Sequence, residues 1–355
     1  MKKLILSILT IFVFFGNHLP QKCIQTTVDF LGQTQSICVS DSTAIRILWG
    51  APPNDILAFD HQLLDNQLLH KISQQYSLDV ATIYALNRLY EIPQNKNAQD
   101  KYLSVIDSLE KNIPLVKIEK LKSKYFLFVP GLAYKEDPST GADLARQMRL
   151  FKLLGIKNKL IETGEYALAE QNAQIIADEI IETSKKCKDI VLVSVSKGSL
   201  ETAIALGKLL GEEQLKSVSA WVSVGGILRG SPVADQYLKA PKSWLARFVL
   251  WSKGHNGEVV RDVSHQFRSE AFNSLIFPVH IKTIHFVGIP LTSQVHKRIK
   301  ARYCSLQENF GPNDGLTTIT DALTMHGIVI SELGLDHYFK DENIDIKTLA
   351  LACLL

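Results

Sequence analysis

The chain has 355 residues, of which 46% are hydrophobic and 21% charged, and a formal net charge of +3. That length and apolar share suit a globular protein with a sizeable buried core and exclude a disordered chain. The charge is too small to mark a nucleic-acid partner, and with no Cys-x-x-Cys or His-Glu-x-x-His pattern in the sequence neither a metal nor another cofactor is implied.

Met1, Lys2 and Lys3 open the chain, and Leu4 to Phe15 form an apolar run too short for an ordinary membrane span. This is the pattern of a secretory signal peptide or N-terminal anchor over residues 1–22, so the protein is expected to be exported to the periplasm, the envelope or the medium. Cys23 and Cys38 are near enough in sequence to staple the region that follows, and an odd total of five cysteines leaves at least one thiol free. Residues 23–120 read as a mainly helical accessory region. Val80, Ile83, Leu86 and Tyr90 form a stripe over 78–90, a second helix is predicted over 98–109, and Ile45 to Trp49 reads as a strand.

From Tyr125 the pattern changes to alternating strands and helices. Tyr125 to Val129 is an apolar strand that ends in a Pro130-Gly131 turn, and an amphipathic helix is predicted over 141–154. A strand over 159–163 and a helix over 167–183 come next. Ile190 to Val193 is apolar enough to be covered on both faces of a sheet, and it runs directly into Ser194-Val195-Ser196-Lys197-Gly198. Small residues two before and two after Ser196 permit a tight reversal into a helix over 197–210, which pushes the Ser196 hydroxyl out at the carboxyl edge of the sheet.

Val218 to Val224 is a further strand, after which residues 231–277 interrupt the alternation. Within this cap insertion Trp244, Leu245, Phe248 and Trp251 gather on one side of a helix. Such a stripe either packs onto the body of the protein or forms a lid that covers a pocket and receives an acyl chain. A strand over 280–288 then leads to the turn-rich Asn309 to Thr317, which places Asp314 on a loop. A short strand over 327–331 precedes Gly334-Leu335-Asp336-His337, so His337 follows the last strand. A serine hydroxyl is a weak nucleophile near neutral pH; it needs an imidazole to take its proton and a carboxylate to orient that imidazole. His285 lies inside a strand and His326 just before one, which ranks them below His337. Asp336 adjoins His337, where consecutive side chains diverge, which ranks it below Asp314.

With the Ser-x-Gly elbow, the Asn313-Asp314-Gly315-Leu316 segment and the order Ser196, Asp314, His337, the sequence from about Tyr125 onward resembles the α/β-hydrolase family, in particular its lipase-like and esterase-like members. The resemblance implies an α/β fold over residues 121–355, a mostly parallel sheet with helices on both faces and the cap inserted in it. It also implies a catalytic triad of Ser196, His337 and Asp314, and an oxyanion hole made by the backbone N–H groups of Leu132 and Lys197. Trp244, Leu245, Phe248 and Trp251 are then the lid and substrate contacts. The implied substrate is a small-molecule or lipid-like carboxylic ester, with a membrane surface as a further contact. Two residues depart from the family pattern, Ser194 where glycine is usual and Pro130 where histidine is. A thioesterase, amidase or acyltransferase uses the same machinery, and a catalytically silent binding protein of the same fold is the reading those departures favour.

Overall fold

The computed structural model describes residues 23–111 and 116–355, so the leader expected over 1–22 lies outside the described residues. Among the described residues no helix is long and apolar enough to cross a membrane. The chain begins with a hairpin, β1 (Ile24–Phe30) and β2 (Gln33–Val39), paired antiparallel and closed by a Cys23–Cys38 disulfide. The expected strand at Ile45 is instead part of the helix Ser42–Leu48, because the Asp41 side chain accepts from the Thr43 N–H and so caps a helical turn. A short apolar run fits either period, and here the cap decides. The helices Asn66–Gln75, Leu78–Tyr90 and Pro93–Glu110 follow.

The body of the protein is a six-stranded sheet: β3 (Tyr125–Val129), β4 (Lys157–Leu160), β5 (Ile190–Val195), β6 (Val218–Val224), β7 (Lys282–Ile289) and β8 (Ile328–Leu333). Its spatial order is β4-β3-β5-β6-β7-β8 and every neighbouring pair is parallel. Helices cover both faces, and the interior strands β3, β5 and β6 are almost wholly buried, as the apolar runs Tyr125–Val129 and Ile190–Val193 require. β4 starts two residues earlier than its sequence pattern implied, since its register is set by pairing Lys157 with Tyr125. The C-terminal helix Ile344–Ala352 packs its Leu349 and Leu351 into the core beside Phe126 and Phe286.

Residues 24–89 share one core with the far side of the sheet. Val28, Ile37 and Ile83 are buried together with Ile289, Leu291 and Leu333. The open edge of β8 is closed by side chains rather than by another strand. Gln99 donates from Nε2 to the Ser331 carbonyl (3.1 Å) and accepts from the Ser331 N–H (3.0 Å), and Asn95 Oδ1 accepts from the Val329 N–H (2.9 Å). These amides satisfy backbone groups that an unpaired edge leaves exposed.

Two features of the topology position the site. The chain leaves β3 for β4 on one side and returns to β5 on the other, so the loops after β3 and β5 face each other across a switch point. The loop after β8 starts three strand spacings from β5, roughly 14 Å away at the usual spacing, and must cross the ends of β7 and β6. Glycines clear its path. A Cβ at Gly288 would stand 2.6 Å from Leu335 Cβ, and one at Gly225 would stand 2.5 Å from the Phe339 ring.

Candidate active site

Ser196 sits at φ 51°, ψ −122°, between β5 and the helix Lys197–Ile204, the elbow helix. A non-glycine residue in this backbone region is strained and persists only where its surroundings over-determine it. Here the Ser196 N–H donates to the Val224 carbonyl (3.1 Å), and the Ser196 carbonyl accepts from Ser199 N–H (3.0 Å) and Ile227 N–H (3.3 Å). Gly198 lets the turn close: a Cβ there would lie 2.3 Å from the Pro130 carbonyl oxygen and 2.9 Å from that of Val129. Ser194 fits in place of glycine because its buried hydroxyl accepts from Trp221 Nε1 (2.8 Å) and lies 2.9 Å from Ser199 Oγ. The elbow helix ends earlier than the expected 197–210, passing into a wider turn over Ala205–Leu209.

The structure brings the three expected side chains together. Ser196 Oγ is 2.8 Å from His337 Nε2, and His337 Nδ1 is 2.7 Å from Asp314 Oδ2. The other Asp314 oxygen accepts from the N–H groups of Leu316 and Thr317, both at 2.8 Å, and the His337 N–H donates to the Asp314 carbonyl at 2.9 Å. The carboxylate and the imidazole are therefore held by main chain as well as by each other. Asp336 turns away, and its carboxylate accepts from the Tyr338 and His296 N–H groups. His285 is buried in β7, where Nε2 accepts from the Thr324 N–H (3.1 Å), and burial pushes it down to about 3. His326 is exposed.

Gly131 brings the loop after β3 against Ser196, since a Cβ there would be 3.4 Å from Ser196 Cβ. Leu132 and Lys197 thus flank Ser196, and among the described residues neither N–H donates to a protein acceptor. Backbone N–H groups without a protein acceptor beside a serine hydroxyl are the kind of donors an oxyanion needs. Among the described residues no group of three His, Cys, Asp or Glu is arranged to hold a metal ion.

The aromatic stripe is not core. In the cap helix Lys242–Ser252, Trp244 is 71% exposed, Leu245 46%, Phe248 62% and Trp251 71%. Trp244 also lines a recess of about 450 Å³ within the cap, with Tyr237, Arg247, Arg261 and Phe267; no residue of the Ser196 site lines it. Past the end of this helix, Lys253 Nζ donates to Glu136 at 2.5 Å and His255 lies 3.4 Å from the same carboxylate. Tyr166 stacks on His255 at 3.7 Å and also donates to Glu136. This cluster ties the cap to the loop that carries Leu132.

Two further polar clusters had no signal in the sequence beyond ordinary charged residues. Lys197 and Glu201 form an ion pair with side chains only 2% and 1% exposed, and burial pushes Glu201 up to about 7 against the pull of the ammonium. An acid and a base one turn apart usually mark a solvated helix face, so their burial was not legible. The second cluster joins three segments: Asp321 accepts from Asn66 Nδ2 (3.0 Å) and Thr318 Oγ1 (2.7 Å) and pairs with His265 Nε2 (3.3 Å). The Asp321 hydrogen bond raises His265 above 6.5, while burial of Asp321 is outweighed by His265, Thr318 and Asn66, which hold its carboxyl low. A base with a raised folded value adds stability that is full below its unfolded value and is lost as pH rises through the folded one; the acid's share is lost only well into acid. The wild-type thermal midpoint is therefore expected to exceed that of His265→Gln most below pH 6.5 and to lose that advantage as pH rises through the raised folded value. A difference between the two melting points that does not change with pH would exclude the pair as its source.

No family model matches the sequence, and no curated protein matches it. Solved structures do. A metagenomic carboxyl esterase, MGS0156, superposes with a TM-score of 0.51 at 19% identity, over 66% of this chain and 73% of its own. The mature form of the Bacillus licheniformis lipase BlEst2 superposes with a TM-score of 0.50 at 18% identity, over 65% of this chain and 92% of its own. The chain has the α/β-hydrolase fold.

Proposed function

We propose that this protein is a serine hydrolase of carboxylic esters that favours lipid-like acyl groups and works outside the cytoplasm. The observation that carries the reading is the continuous contact of Ser196, His337 and Asp314 at the carboxyl rim of the sheet, beside two free N–H groups. Ser196 Oγ attacks the ester carbonyl while His337 Nε2 takes its proton, and the oxyanion forms against the amides of Leu132 and Lys197. His337 returns the proton to the leaving alcohol. Water, deprotonated by the same imidazole, then releases the acid from the acyl-enzyme. Asp314 keeps Nδ1 protonated and stabilises the imidazolium. The fold shared with an esterase and a lipase supports ester chemistry, while the residues of this chain support the assignment of roles.

Labelling with a fluorophosphonate followed by peptide mapping tests this directly. Modification at Ser196 supports the proposal, and a folded protein that remains unlabelled favours the silent binding protein. A panel of esters, thioesters and amides, with and without an acceptor alcohol, separates hydrolysis from acyl transfer.

Export is supported by the basic-apolar leader in the sequence and by the Cys23–Cys38 disulfide, a bond that persists in oxidising compartments. The exposed aromatics of the cap helix, with Lys242 and Arg247 among them, support its role as a lid that meets lipid. Replacing Trp244, Phe248 and Trp251 together by serine is expected to lower kcat/KM for a long-chain p-nitrophenyl ester about 10-fold relative to a short-chain one, by the loss of apolar contact area. Unchanged chain-length preference would remove the cap helix from the acyl site.

A further inference from the structure

The amide that follows the nucleophile belongs to a residue whose own side chain is buried and charged. Lys197 runs into the protein and pairs with Glu201 one turn along the elbow helix. Glu201 Oε1 also accepts from Asn172 Nδ2 at 2.7 Å. Asn172 is itself fixed, since its Oδ1 accepts from the Gly164 N–H and its Nδ2 donates to the Gly164 carbonyl, both at 2.9 Å. Gly164 lies on the loop after β4 and Asn172 on the helix Ala169–Ser184, so this chain of contacts ties the first turn of the elbow helix to two other segments. The N-terminus of that same helix is held by the cap insertion: the Ala169 N–H donates to Asp262 at 2.7 Å, and Arg268 pairs with Asp262 and, at 2.6 and 2.9 Å, with Glu170.

A buried ion pair is a poor stabiliser, because desolvation offsets its attraction, and apolar residues of similar volume often serve stability as well or better. Its distinctive property is direction. Ser196 at φ 51° stores strain that would relax by rotating the Ser196–Lys197 peptide. Hydrogen bonds from the Ser199 and Ile227 N–H groups hold the carbonyl of that peptide, and the Ser196 N–H bond to Val224 holds the peptide before it. The lysine side has the Glu201 tether. We propose that Lys197 is a positioning residue: its buried side chain, anchored on Glu201 and Asn172, holds the strained peptide so that the Lys197 N–H stays aimed at the developing oxyanion. This rests on Ser196 being the nucleophile.

Lys197→Met alone leaves Glu201 buried without its ammonium and risks the fold, so the decisive variant is Lys197→Met with Glu201→Met. Replacing both charges by apolar side chains is expected to keep the thermal midpoint within about 4 °C of wild type. For a p-nitrophenyl ester KM is expected to stay within about twofold while kcat falls about 10- to 100-fold, the scale of a misplaced oxyanion donor. Affinity for phenylboronic acid, whose tetrahedral serine adduct places an oxygen at the same amides, is expected to fall in parallel. A purely structural pair would lower the melting point and leave kcat and boronate affinity of the folded fraction unchanged. Wild-type kcat and boronate affinity in the double variant, with Ser196 labelled by a fluorophosphonate in the parent, overturn this inference alone. An unlabelled Ser196 in the parent overturns the reading beneath it as well.

Discussion

Ser196→Ala is expected to lower ester turnover by about 10⁶-fold and to end fluorophosphonate labelling, without loss of the folded state. The size of the effect follows from the chemistry. Removing the hydroxyl removes the acyl-enzyme route altogether, and leaves only what the two free amides contribute to attack by water. The fold is spared because the bonds that hold position 196 are main-chain ones, from its N–H to Val224 and from Ser199 and Ile227 to its carbonyl. Alanine occupies the same strained backbone region at no greater steric cost than serine. A p-nitrophenyl acetate assay with a melting curve on the same sample checks both halves. Turnover retained by a folded Ser196→Ala protein would place the nucleophile elsewhere and dissolve the proposed mechanism.

Asp314→Asn is expected to lower kcat by about 10⁴-fold with little change in KM or in melting temperature. The surroundings dictate how the new amide must sit. Oδ1 accepts from the Leu316 and Thr317 N–H groups, so the amide oxygen takes that side and its NH₂ faces His337 Nδ1. The imidazole then accepts at Nδ1 and carries its hydrogen on Nε2, 2.8 Å from Ser196 Oγ. In that tautomer it cannot take the serine proton. Asp336→Asn is the matched control, because that carboxylate faces the Tyr338 and His296 N–H groups and its substitution leaves kcat within about twofold. Equal losses in both variants would mean that the loop, rather than the tautomer, had been disturbed.

Parts of this site were legible in the sequence because they depend on local chemistry. The apolar run at Ile190 marks a strand covered on both faces, and Gly198 marks a turn too tight for a side chain. The segment around Asn313 reads as a turn-rich loop, and in the structure the Asp314 carboxylate accepts from its own following N–H groups. The departure at Ser194 is accommodated by the packing of the elbow. Ser194 finds Trp221 and Ser199, partners 27 and 5 residues away. The hairpin before Ser42 escaped notice because each of its strands is half polar, and the turn at Leu31 and Gly32 uses left-handed backbone at a leucine that a turn pattern does not flag.

By itself the sequence determined that strands and helices alternate from Tyr125 onward, that a serine and an imidazole each follow a strand end and that Asp314 lies on a loop, since periodicity and turn chemistry are properties of neighbouring residues; it missed the helix Lys300–Phe310 between β7 and that loop. Tertiary structure alone decided that those three side chains touch, that Asp336 points away, that the Trp244 stripe is exposed, and that Lys197 is buried against Glu201. The contacts, and the burial or exposure of these side chains, depend on how segments far apart in the chain pack together. The order of strands in the sheet sets those distances, together with the glycines that let the last loop cross it.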